Sequence, residues 1–158
     1  MKSSIKTGLS FGLTSGIITT LGLIVGLHAG THSKLAVLGG IITIAVADAL
    51  SDALGIHVSQ ESHNQYSFKE IWEATFATLI SKFIFAITFL IPILLYSFPT
   101  AIYISITWGL ILLAVASYFI AIKNKDNPIK VIGEHVAIAI IVIILTHYIG
   151  EYISKIFT

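Results

Sequence analysis

The stretch Ile41-Ile42-Thr43-Ile44-Ala45-Val46-Ala47-Asp48-Ala49-Leu50-Ser51-Asp52-Ala53-Leu54-Gly55 sets two carboxylates one helical turn apart inside an apolar run. An ionised Asp at the centre of a membrane helix costs about 2.5 to 3.5 kcal/mol on insertion scales, whereas each Leu, Ile or Val returns roughly 0.3 to 0.6. Two such charges offset most or all of what the aliphatic residues between Leu35 and Ile56 contribute. The acids must therefore be sheltered, neutralised or put to use. Their i, i+4 spacing places both on one helix face, and the sequence predicts that this face continues through Ala45, Ser51, Gly55 and Ser59, all small or polar. A helix of that kind turns its aliphatic side to lipid and its polar side to protein or water. Intramembrane acids mark cation or proton sites. Two protonated acids bonding neighbouring helices are the structural alternative.

Composition extends the reading to the whole chain. Of 158 residues, 56% are hydrophobic and 11% charged, which indicates a polytopic membrane protein made of one transmembrane domain over residues 1–158. The net charge of +1 argues against a nucleic-acid partner, and the lack of Cys excludes disulfides and thiolate metal sites. Lys2 and Lys6 precede an apolar run, as in a signal peptide. The run is long and its cleavage-like site near Leu27 to Ala29 is poor, so it is expected to stay as a helix.

Spans of the length a bilayer demands, about 20 residues, fall at residues 8–27, 35–56, 74–96, 100–122 and 131–150. The runs are continuous and do not alternate, so the fold class is an all-α bundle of five transmembrane helices. Ser67 and Glu70 have the spacing of a capping box, which predicts an early start for the third span. Pro92 predicts a kink near its far end, and Asn127-Pro128 marks the start of the fifth. There is no Arg. Lys2, Lys6, Lys69, Lys123, Lys125 and Lys130 gather on one side, with Lys34 and Lys155 on the other. The positive-inside rule then puts the N-terminus in the cytoplasm and the C-terminus outside. Asp48 falls near mid-membrane, and Lys82 on the third span falls at a similar depth. Lys82 either pairs with the acids, which lowers the cost of burial, or snorkels to the interface.

The first span carries Gly8, Gly12 and Gly16, then Gly22, Gly26 and Gly30, all at intervals of four. That spacing lets helix backbones approach closely in lipid. The partner is open at this point: the second span and a second protomer fit equally. Thr14, Ser15, Thr19 and Thr20 add hydroxyls to the same helix.

The run Phe11-Gly12-Leu13-Thr14-Ser15-Gly16-Ile17-Ile18-Thr19-Thr20-Leu21-Gly22-Leu23 resembles the first span of the vacuolar iron transporter family. Leu50-Ser51-Asp52-Ala53-Leu54-Gly55, leading to Ser59 and Ser62, and the closing Thr146-His147-Tyr148-Ile149-Gly150 resemble that family as well. The resemblance implies a homodimer that exports ferrous or manganous ions from the cytosol in exchange for protons, along a path between protomers. The ion is cargo, and no permanently bound cofactor is implied. The chain departs from the family where Ser15 replaces an aspartate, Asp52 a methionine and Ile56 a glutamate, and where the short segment His57 to Lys69 replaces a glutamate-rich cytoplasmic domain. Its carboxylates are redistributed across the same presumed path, and hard oxygen ligands suit Mn, Mg or Ca as well as Fe.

The expected ion pathway therefore comprises Asp48, Asp52, Ser15, Thr14, Thr19, Ser51 and Lys82. The expected metal ligands are Asp48 and Asp52, with His57, Glu61 and His63 as a cytoplasmic collecting site; solvated loop residues are the plainer reading of the last three. On the other side His28, His32, His147 and Glu151 suggest an exit site. Enzymatic activity is not expected, because both acids lie on one helix and no nucleophile motif is present. A non-transporting membrane subunit, whose acid–lysine pair only specifies assembly, is the alternative to a transporter. Nothing resembles a sorting signal, which makes a prokaryotic plasma membrane the simplest location.

Overall fold

Continuous apolar runs leave a membrane chain one way to satisfy its backbone without alternation, and that is to bond within each helix. The computed structural model describes residues 2–63 and 65–157, and every regular element among them is a helix. The helices are α1 (Ser3–Thr31), α2 (Lys34–Glu61), α3 (Phe68–Thr88), α4 (Leu90–Leu95), α5 (Phe98–Asn124) and α6 (Pro128–Phe157). With α3 and α4 taken as one span, five segments are long and apolar enough to cross a membrane. The chain is an all-α, five-span integral membrane bundle.

Each helical span is longer than the apolar stretch that predicts it. Hydropathy marks the part inside hydrocarbon, whereas caps decide where a helix stops. Ser67 is the N-cap of α3, and its capping box is complete: the Glu70 carboxylate accepts from Ser67 N at 2.9 Å and the Ser67 hydroxyl accepts from Glu70 N at 3.4 Å. Pro128 opens α6, where Asn127 Oδ1 accepts from Ile129 N at 3.0 Å. Pro92 has no N–H to give the Thr88 carbonyl. The helix accordingly breaks at Phe89, whose N–H turns to the Ala86 carbonyl at 3.2 Å, and resumes as α4.

The first span is the hub, packed against α2, α3, α5 and α6. Ile17, Leu21 and Ile24 are fully buried there. Its two glycine rows serve two neighbours in the same chain. A methyl at Gly12 would strike the Ser81 hydroxyl and the Thr78 backbone of α3, and one at Gly16 would lie 3.1 Å from Lys82 Cγ. Gly22 and Gly26 face α6, with Val142 and Thr146 in the corresponding places. Close approach thus draws α3 to one half of α1 and α6 to the other.

Lys2 Nζ meets Glu73 Oε1 at 2.5 Å at the lysine-rich end, and Lys34 Nζ donates to the Tyr96 carbonyl at 3.3 Å at the opposite end. On α2 the inward face is Val37, Ile41, Ala45, Ala49 and Ala53, while Leu35, Ile42, Val46, Leu50, Leu54 and Val58 are exposed. Such an apolar exterior belongs against lipid.

Candidate intramembrane ion site

Three charged side chains meet near the midpoints of their helices. Asp48 and Asp52 project from α2, and Lys82 projects from α3 over the gap left by Gly16. Lys82 Nζ lies 2.5 Å from Asp48 Oδ2 and also pairs with Asp52 Oδ2. Its side chain is 2% exposed, which rules out the snorkelling alternative. The ammonium also donates to Ser15 Oγ at 2.9 Å, and the Ser15 hydroxyl donates to Asp52 Oδ2 at 2.7 Å. The Thr19 hydroxyl lies 3.0 Å from Asp48 Oδ2 and 2.9 Å from the Ser15 carbonyl, so its single proton is shared between them.

Two acid side chains face one amine in the middle of the bundle. Ionisable groups there are tolerated when paired and hydrogen-bonded, and all three are. The acid side chains remain partly open, however: Asp48 is 28% exposed and Asp52 23%. Asp48, Asp52, Ser15 and Thr19 thus form a partly open notch of oxygen atoms, with buried Lys82 bound to both acids.

No family model matches this chain, nor does any curated protein or solved structure.

Of the other sequence-predicted residues, Thr14 turns its hydroxyl back to the Ser10 carbonyl at 2.9 Å and takes no part in the cluster. Ser51 is exposed on α2, as are Gly55 and Ser59. At about 100° per residue all of them stay within about 60° of Asp48, so the stripe runs along the boundary between the exposed side and the buried side that holds Ala45. The second span does continue past the apolar run to Glu61, which puts His57 and Glu61 on one helix. His57 nevertheless turns to the Thr75 hydroxyl at 3.1 Å and sets its ring edge against Trp72. His63 Nδ1 lies 2.7 Å from the Ser59 carbonyl, and Glu61 is exposed.

At the opposite end His28, His32, His147 and Glu151 line one small cavity together with Lys155. The His28 and His32 rings are 5.7 Å apart, His147 Nε2 is 3.7 Å from Glu151, and Lys155 is 3.7 Å from the same carboxylate. Among the described residues no three His, Asp or Glu side chains converge as a metal-holding group. Ser15, expected on the ion pathway, sits in the cluster; its specific link, between Lys82 and Asp52, is what the sequence does not show. Its one sequence signal is its i, i+4 relation to Thr19.

Proposed function

We propose that the protein is a divalent metal cation transporter that carries Fe(II) or Mn(II) out of the cytosol in exchange for protons and works as a homodimer. The observation that supports this most is the Asp48–Lys82–Asp52 cluster, an oxygen-lined notch at the depth where a crossing ion needs help. A divalent cation entering the notch takes the place of the ammonium. Two carboxylates then balance its charge, and Lys82 must either withdraw or give up its proton. Either event couples metal occupancy to charge or proton movement. Ser15 and Thr19 supply further oxygens of the kind hard cations prefer.

The partial exposure of the acids supports the dimer. Carboxylates exposed to hydrocarbon are costly, so a second copy covering α2 shelters them and brings a second acid pair to the path. Exposed Gly39, Thr43, Ala47, Ser51 and Gly55 follow one another at intervals of four along that helix, a surface on which another helix packs closely. The resemblance to vacuolar iron transporters points the same way. The test is binding of Mn(II) to the purified protein, read by the loss of the free-ion electron paramagnetic resonance signal. Asp48→Asn and Asp52→Asn should lose binding, while retention by both variants would refute the assignment.

The pairing of both acids with Lys82 favours a second reading, an assembly subunit that transports nothing. It predicts that neutralising Lys82 together with one Asp leaves cell physiology unchanged.

A further inference from the structure

Both α3 and α5 pack on α1; they meet each other where Trp108 Nε1 donates to Thr88 Oγ1 at 3.3 Å, and toward the lysine-rich end a cavity of about 400 Å³ opens between them, of a size that takes a small organic ligand. Leu9, Leu13, Phe85, Leu112, Val115 and Phe119 form its walls, and Lys6 and Lys123 stand together at one end of it. The wall runs from Lys6 to Leu13 on α1 and from Lys123 to Leu112 on α5, roughly 10 to 16 Å at ~1.5 Å per residue. That is about the depth of one leaflet in a ~30 Å hydrocarbon core. Both lysines are exposed, and neither forms an ion pair among the described residues. Lys2, by contrast, is taken by Glu73.

We propose that this cleft holds an acyl chain of an anionic phospholipid whose phosphate sits between Lys6 and Lys123. The apolar walls replace neighbouring lipid tails, and two unpaired ammonium groups at headgroup level select a negative lipid over a zwitterionic one. The occupant adds a bridge between α3 and α5 beside the cavity, beyond the Trp108–Thr88 hydrogen bond, so binding stiffens the bundle there.

The test is thermal unfolding of the purified full chain in uncharged detergent, titrated with phosphatidylglycerol, phosphatidylcholine or inorganic phosphate. Phosphatidylglycerol should raise the midpoint at concentrations on the order of thirtyfold below those of phosphatidylcholine, each lysine favouring the anionic headgroup roughly fivefold. Inorganic phosphate should do nothing, since it lacks the chain. Lys6→Gln/Lys123→Gln should erase the preference, and Val115→Trp, which narrows the cleft, should abolish the response with both lysines in place. Equal potency of the two lipids, a response to phosphate alone, an unmoved midpoint with any lipid, or a preference that survives loss of the lysines would overturn the proposal.

Discussion

Lys82 Nζ lies 2.5 Å from Asp48 Oδ2 in the middle of the bundle, and only the absence of a side chain at Gly16 lets the lysine stem lie so close to α1. The pair joins α2 to α3, and its partner Asp52 ties in α1 through Ser15. Removing the ammonium leaves two largely buried carboxyl groups without their shared partner. Lys82→Met should therefore destabilise the protein by about 3 to 5 kcal/mol, the usual cost of breaking a buried pair from one side. Adding Asp48→Asn and Asp52→Asn should recover most of the loss. Chemical denaturation in detergent, run as a mutant cycle, measures both.

Glycine position should matter according to what faces it. Gly12→Ala drives a methyl into the Ser81 hydroxyl and the Thr78 backbone, whereas nothing lies within 4 Å of a methyl at Gly133. Overpacking of this kind costs about 1 to 3 kcal/mol. The expected order of unfolding midpoints puts Gly12→Ala well below both wild type and Gly133→Ala; equal midpoints for the two variants would contradict the packing of α1 on α3.

The two neighbouring threonines of α1 should part company in the same way. Thr19 reaches Asp48 and Thr14 reaches only its own backbone. Thr19→Val should weaken Mn(II) binding roughly tenfold, since a hydrogen bond to a charged group is worth about 1.5 kcal/mol or more. Thr14→Val should bind as wild type does.

The N-cap of α3 offers a control far from the acids. Ser67→Ala removes one half of the capping box and should cost about 1 kcal/mol of stability with no change in cation binding. A loss of binding in this variant would mean that the loop before α3 belongs to the ion path.

Much of this architecture is legible in the sequence because lipid imposes simple rules. Span number and class follow from apolar run length, and Ser67, Pro92 and Pro128 act locally, through hydrogen bonds made or forfeited within a turn. The acid pair is equally local, since i, i+4 spacing fixes a shared face. What the sequence leaves open is every choice of partner. Gly8, Gly12 and Gly16 suit any close helix, and only the fold assigns them to α3 and assigns Gly22 and Gly26 to α6. Lys82 has a stem long enough either to pair or to snorkel, and the choice depends on where α1 leaves room. Ser51 and His57 show the same limit: each has the expected neighbours in the chain, and only the fold turns one outward and ties the other to Thr75 and Trp72.

The most direct test of the acid notch as an ion path is proton flux driven by a divalent ion in proteoliposomes, screened over Fe, Mn, Co, Zn, Mg and Ca. The wild type should show flux with Fe(II) or Mn(II), and the Asp48→Asn/Asp52→Asn variant, folded and reconstituted equally, should show none. Undiminished flux in that variant, or no flux with any ion in the wild type, would contradict the account.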